Sequence, residues 1–183
     1  ATARTATPTD PIAMVSVVSE ELPPLAFGEA VAALAGVADR NAIARTVLRF
    51  ARSRFRRTVL LSIHGDVAEG WDGVGDGVSP QVIARVRLRV SQPGILDTVV
   101  RSRAHFLGPL VRTEQNIQLL RALGRGAPKN AFALPVLARG RVVNVLYADA
   151  GRGALVDASG VGELLILASK IAQSYEALLT RAR

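Results

Sequence analysis

Residues 131–149 read Ala-Phe-Ala-Leu-Pro-Val-Leu-Ala-Arg-Gly-Arg-Val-Val-Asn-Val-Leu-Tyr-Ala-Asp, and this stretch decides the fold. Phe132, Leu134 and Val136 alternate with their neighbours, Val142 to Tyr147 form a second apolar run, and Arg139-Gly140 stands between them. That pattern predicts two strands joined by a tight hairpin. Working outward, Val59, Leu61 and Ile63 alternate with Leu60, Ser62 and His64. The glycines and aspartates between Gly65 and Gly77 supply turns around a short second strand near Ala68 to Trp71. Val86, Leu88 and Val90 alternate with Arg85, Arg87 and Arg89, a strand with one buried and one wet face, as antiparallel sheets have. Pro93-Gly94 ends it.

Helices surround these strands. An alanine-rich helix over about 27 to 37 follows Pro23 and Pro24. Asp39 then stands as N-cap for a helix in which Ala44, Val47, Leu48, Ala51 and Phe55 mark one face. Further helices are predicted over about 95–103 and 113–123, the second with Ile117, Leu120 and Leu123 on its apolar side. A long final helix to about Leu179, capped by Asp157 or Ser159, carries two seams. Leu164, Leu167, Ile171 and Leu178 form the first; Leu165, Ala168, Ala172, Tyr175 and Leu179 form the second. One seam suffices to pack a helix on its own sheet, so the second requires the amino-terminal helices or another copy of the chain.

The composition bounds the chemistry. With 183 residues the chain suits a single α+β domain over residues 25–183, preceded by a flexible tail or linker over 1–24. Ile12 to Val18 is too short to span a bilayer, and the expected location is cytoplasmic. No cysteine is present, which removes disulfides, thiolate nucleophiles and thioether-linked chromophores. The net charge is +8, from 23 Lys plus Arg against 15 Asp plus Glu, and Lys129 and Lys170 are the only lysines. Arg45, Arg49, Arg52 and Arg56 repeat at helical spacing opposite the apolar face, as a solvated stripe or as a dock for an acidic protein partner. Nucleic acid is disfavoured, because no aromatic side chains interleave with the arginines to stack bases.

Other constellations carry little. Gly73, Gly75 and Gly77 lack the Lys-Ser/Thr of a phosphate loop, and Asp66, Glu69, Asp72 and Asp76 lack the spacing of a calcium loop. There is no nucleophile elbow, so no catalytic residue and no metal ligand is expected. Trp71, Arg87, Asn144 and Tyr147 are the polar and aromatic groups that would line a ligand cavity. Trp71 and Tyr147 are equally readable as ordinary core aromatics.

Taken together, Ala42-Ile43-Ala44, Phe55-Arg56-Arg57 before Val59-Leu60-Leu61, Gly70-Trp71, Leu134-Pro135-Val136 and Val145-Leu146-Tyr147-Ala148-Asp149 resemble a GAF domain over about residues 27–180. The resemblance implies a central antiparallel sheet of about six strands, with amino- and carboxy-terminal helices packed on one face and shorter helices and loops on the other. It implies a ligand pocket under the shorter helices and homodimerisation through the terminal helices, which would put Leu165, Ala168, Ala172, Tyr175 and Leu179 at the interface. The expected role is a non-enzymatic sensory or regulatory domain beside another signalling domain; the alternative is a scaffold with a filled pocket used for dimerisation or docking. Bilin attachment and methionine sulfoxide reduction in this family depend on cysteine and are excluded. Lys129-Asn130 and Phe132 echo the cyclic-nucleotide signature only in reversed order and without its acidic pair. His64 and His105 are poor axial haem ligands in a turn and at a helix end, so the cofactor is left unknown.

Overall fold

The computed structural model describes residues 23–124 and 126–181. Six strands form one antiparallel sheet in the order β3-β2-β1-β6-β5-β4. The central hairpin is β5 (Ala131–Ala138) and β6 (Arg141–Asp149). Arg139 and Gly140 both have positive φ, 49° and 72°, the twist-matched geometry of a two-residue hairpin turn. Next to β6 lies β1 (Arg57–His64), then β2 (Val67–Gly75) and the edge strand β3 (Arg87–Arg89); β4 (Phe106–Gly108) forms the other edge.

Strand alternation sends side chains into two cores. Leu60, Val74, Phe132, Leu134, Val136, Leu146 and Ala148 face α1 (Phe27–Ala35), α2 (Arg40–Ala51) and α6 (Ala158–Arg181). Val59, Leu61, Ala68, Ala133, Val145 and Tyr147 face α3 (Pro80–Ile83), α4 (Ile95–Ser102) and α5 (Glu114–Ala122). Asp39 caps α2 as expected, accepting from the Ala42 amide at 2.8 Å. The six-stranded α+β architecture and the division of helices between the faces agree with the sequence reading.

Several details differ. The second strand runs on to Gly75, because a bulge at Trp71, opposite Leu60 and Leu61, lets pairing continue past the glycines. A second bulge leaves Val143 unpaired. It turns Val142 to the α3–α5 face, whereas Asn144 stays in phase with Leu146, so Val142 and Asn144 do not share a face as plain alternation would have them do. β4 and α3, at three and four residues, are too short to leave a period in the sequence. Most of the expected 1–24 tail lies outside the described residues. Pro23, within it, is docked, its carbonyl accepting from Arg49 Nε at 2.9 Å.

The sharpest departure is α5. Its buried residues are Gln115, Asn116 and Leu119, while Ile117 and Leu120 are only half-buried. The helix is rotated from the phase its apolar residues predict. No helix among the described residues is long and apolar enough to cross a membrane.

Candidate functional site

The space between the sheet and α3–α5, where the resemblance put a ligand, is occupied. Tyr147, Ile83, Leu96, Leu119 and Leu123 are fully buried there. Glycines in β2 bring α3 onto the sheet: a Cβ at Gly70 would lie 1.8 Å from the Ile83 carbonyl oxygen, and one at Gly73 would lie 2.9 Å from Val78 Cγ1. Backbone thus rests on backbone, leaving no room for an intervening molecule at that point.

Buried polar side chains fasten the same face. Gly94 has no side chain to cap α4, and α5 supplies the cap instead. Asn116 Oδ1 accepts from the Ile95 amide and Gln115 Oε1 from the Leu96 amide, both at 2.9 Å. Gln115 Nε2 donates to the Arg89 and Gln92 carbonyls, and Asn116 Nδ2 to the Val111 carbonyl. At the other end of α5, the Arg57 guanidinium, 4% exposed, pairs in fork geometry with the fully buried Asp149 carboxylate at 2.7 and 2.9 Å. It also donates to the Leu123 and Gly126 carbonyls. Tyr147 Oη donates to Asp149 at 2.7 Å, and burial together with that carboxylate pushes its phenol well above the ordinary range. Asp149 is therefore the acceptor hub of a buried network and not merely the turn residue its place before Gly151 suggested. Its pairing follows from register, since Arg57 and Asp149 are direct cross-strand partners.

The four expected lining residues do not converge. Tyr147 belongs to the filled interior. Arg87 stands on the β3 edge, paired with Glu69 at 3.0 Å and half exposed. Asn144 is buried, donating to the Leu61 carbonyl and to Ser62 Oγ, while its own Oδ1 has no hydrogen-bond partner among the described residues. Trp71, pushed out by the bulge, packs towards the α1/α2/α6 core, and Arg40 lies over its ring at 5.2 Å. It borders an open cleft of about 470 Å³ with Asp39, Arg40, Ser62, His64 and Glu69. Arg40 is the member that the sequence reading missed; its position just after the Asp39 cap was the available signal. His105 is exposed, and no cluster among the described residues has the acidic, histidine or cysteine groups to hold a metal ion.

The arginine stripe is cut short. α2 ends at Ala51, so Arg52 is its C-cap and Arg56 lies beyond the helix, paired with Asp76 at 3.0 Å. Arg49 is committed to Pro23, and Arg45 is exposed. Arg45, Arg49 and Arg52, the last in helical backbone geometry, keep their spacing, and the row ends there without Arg56. Along α6, Leu164, Leu167 and Ile171 are buried as expected. Of the second seam, Tyr175 lies in the core of its own chain, Leu165, Ala168 and Ala172 are half-buried, and Leu179 is 39% exposed; Ile166, 60% exposed, stands on the opposite side of the helix. Tyr175 Oη, near the Arg40 cation, has no partner at hydrogen-bonding geometry among the described residues. Burial pushes its phenol up to about 12, against a smaller opposing effect of the Arg40 cation.

No protein-family model matches the sequence, and no curated protein matches it at a significant level. Solved structures match along most of the chain. A methyl-accepting chemotaxis protein fragment superposes with a TM-score of 0.67 at 16% identity, covering 84% of this chain and 98% of that one. The phycoerythrobilin-bound GAF domain of a cyanobacterial phytochrome gives 0.66 at 9% identity, covering 86% and 98%. The fold is the GAF fold. Other GAF domains recur among the matches. The same fold also serves an enzyme: a free methionine-R-sulfoxide reductase from Neisseria meningitidis matches with a TM-score of 0.59 at 13% identity, covering 85% of this chain and 89% of that one. At such identities the GAF likeness concerns the fold, and the role rests on the residues present.

Proposed function

We propose that this GAF-fold chain is a non-catalytic regulatory domain of a cytoplasmic signalling protein, a scaffold that pairs with a second copy through α6. The observation that carries this reading is the filled interior: Tyr147 and its neighbours occupy the pocket face, and Gly70 and Gly73 seat α3 directly on β2. The occurrence of the fold in a chemotaxis protein and a phytochrome supports a signalling context. The absence of cysteine argues against the thiol chemistry expected of sulfoxide-reducing relatives. Leu179 and the half-buried Leu165, Ala168 and Ala172, which share one side of α6, give it an apolar edge that a partner helix would cover. Signal transfer would then be linkage, in which a neighbouring domain that favours one packing of paired α6 helices shifts the pair towards it. Light scattering tests this. The wild-type chain should have the mass of a dimer and Leu179→Glu or Leu179→Arg should move it to monomer with unchanged circular dichroism; a monomeric wild type overturns the pairing.

A second reading rests on the cleft beside Trp71, on whose wall Ser62 Oγ accepts from Asn144 Nδ2, the Asn144 Oδ1 behind it being without a partner among the described residues. A small polar molecule stacked on Trp71 in place of Arg40 would make the domain a sensor. It predicts ligand-dependent thermal stabilisation that disappears in Trp71→Ala.

A further inference from the structure

The rotation of α5 leaves Ile117 and Leu120 half-exposed where a surface helix would ordinarily carry charge. Leu110, Val111, Ile117, Leu120 and Pro128 line an open groove of about 710 Å³ between the 109–112 strap, the outer side of α5 and the loop before β5. Val111 is 72% exposed, the most exposed of the large apolar side chains described. Both walls are held from beneath: Asn116 Nδ2 bonds the Val111 carbonyl at 2.8 Å, and Arg57 bonds the carbonyls of Leu123 and Gly126. The apolar groups are therefore presented in a fixed arrangement, which lowers the ordering cost of binding.

Arg112 and Arg121 also line the groove, and neither has an ion-pair or hydrogen-bond partner among the described residues. Other arginines are committed, such as Arg54 to Glu163 and Arg101 to Asp97. We infer that this groove docks an acidic protein segment, an apolar side chain entering between Ile117, Leu120 and Pro128 while flanking carboxylates meet Arg112 and Arg121. The net charge of +8 steers such a partner towards the domain. A second copy fits poorly, because two-fold apposition would bring these arginines against one another. The inference does not depend on pairing through α6.

The probe is a short peptide of alternating Glu and Leu pairs, titrated into the isotope-labelled full chain and followed by backbone amide chemical shifts. Saturable shifts confined to residues 109–128, weakened by salt, are expected. Arg112→Ala with Arg121→Ala should weaken binding about fivefold or more, and Val111→Asp should abolish it; all three positions are exposed, so the fold is retained. Equal binding of the same peptide with Lys for Glu, shifts located elsewhere, or no saturable shifts would overturn the assignment. So would saturation of the groove by dodecanoate with no response to the peptide. The light-scattering result for the α6 variants is read separately, so either idea can fail alone.

Discussion

The two faces of the sheet are closed by different means. On the α1/α2/α6 face, α1, α2 and the 24-residue α6 lay aliphatic stripes against Leu60, Leu134 and Leu146, and stability comes from apolar burial. On the α3–α5 face the helices are short, and closure depends on specific contacts: glycines that admit α3, the Gln115–Asn116 cap on α4, and the Arg57–Asp149–Tyr147 network behind α5. Apolar burial tolerates imprecision, whereas a buried charge pair does not. The second face should therefore be the more fragile under single substitutions, and the cost should fall on identifiable bonds.

The largest expected effect is at Arg57. Arg57→Ala leaves the Asp149 carboxylate buried without its cation and frees two carbonyls, for a loss of about 3–5 kcal/mol in urea unfolding. Arg54→Ala, which breaks a partly exposed bridge to Glu163, should cost no more than about 1 kcal/mol. If the two losses were equal, the buried network would not be what fastens this face. Gly70→Ala comes next, at about 1–3 kcal/mol, because its Cβ must displace the Ile83 carbonyl. Gly162→Ala, in open space on α6, should instead stabilise by up to about 1 kcal/mol.

The smallest effect is on the opposite face, at Tyr175. Its phenol ionises near 10 when unfolded and about 12 when folded, so its contribution is whole below pH 10 and is lost as pH rises towards 12. Tyr175→Phe removes that alkaline loss together with an unpartnered hydroxyl. At neutral pH it should be neutral or stabilising by up to about 1 kcal/mol; a clear destabilisation would mean that the hydroxyl has a partner.

The contrast between the faces also explains what the sequence disclosed. The β5–β6 hairpin, the capped α2 and the inner seam of α6 were legible because apolar burial leaves a period of two or of about 3.6. On the other face the decisive side chains are polar and their partners distant. Gln115 and Asn116 interrupt the apolar pattern of α5, so Ile117 and Leu120 were assigned to the interior in their place. The Arg57–Asp149 pair, 92 positions apart, exists only through strand register. The candidate pocket rests on residues of suitable chemistry, yet a bulge displaces Trp71, the edge strand carries Arg87, and Asn144, in phase with Leu146, faces away from Tyr147.

A chain that fills its own pocket and works through its surfaces retains no small molecule, which native mass spectrometry of freshly purified protein can check. Polypeptide masses free of any bound small molecule are expected, in whichever oligomer is present. A stoichiometric small molecule that survives purification and is lost in Ala133→Leu, a substitution pointing into the α3–α5 face, would contradict it.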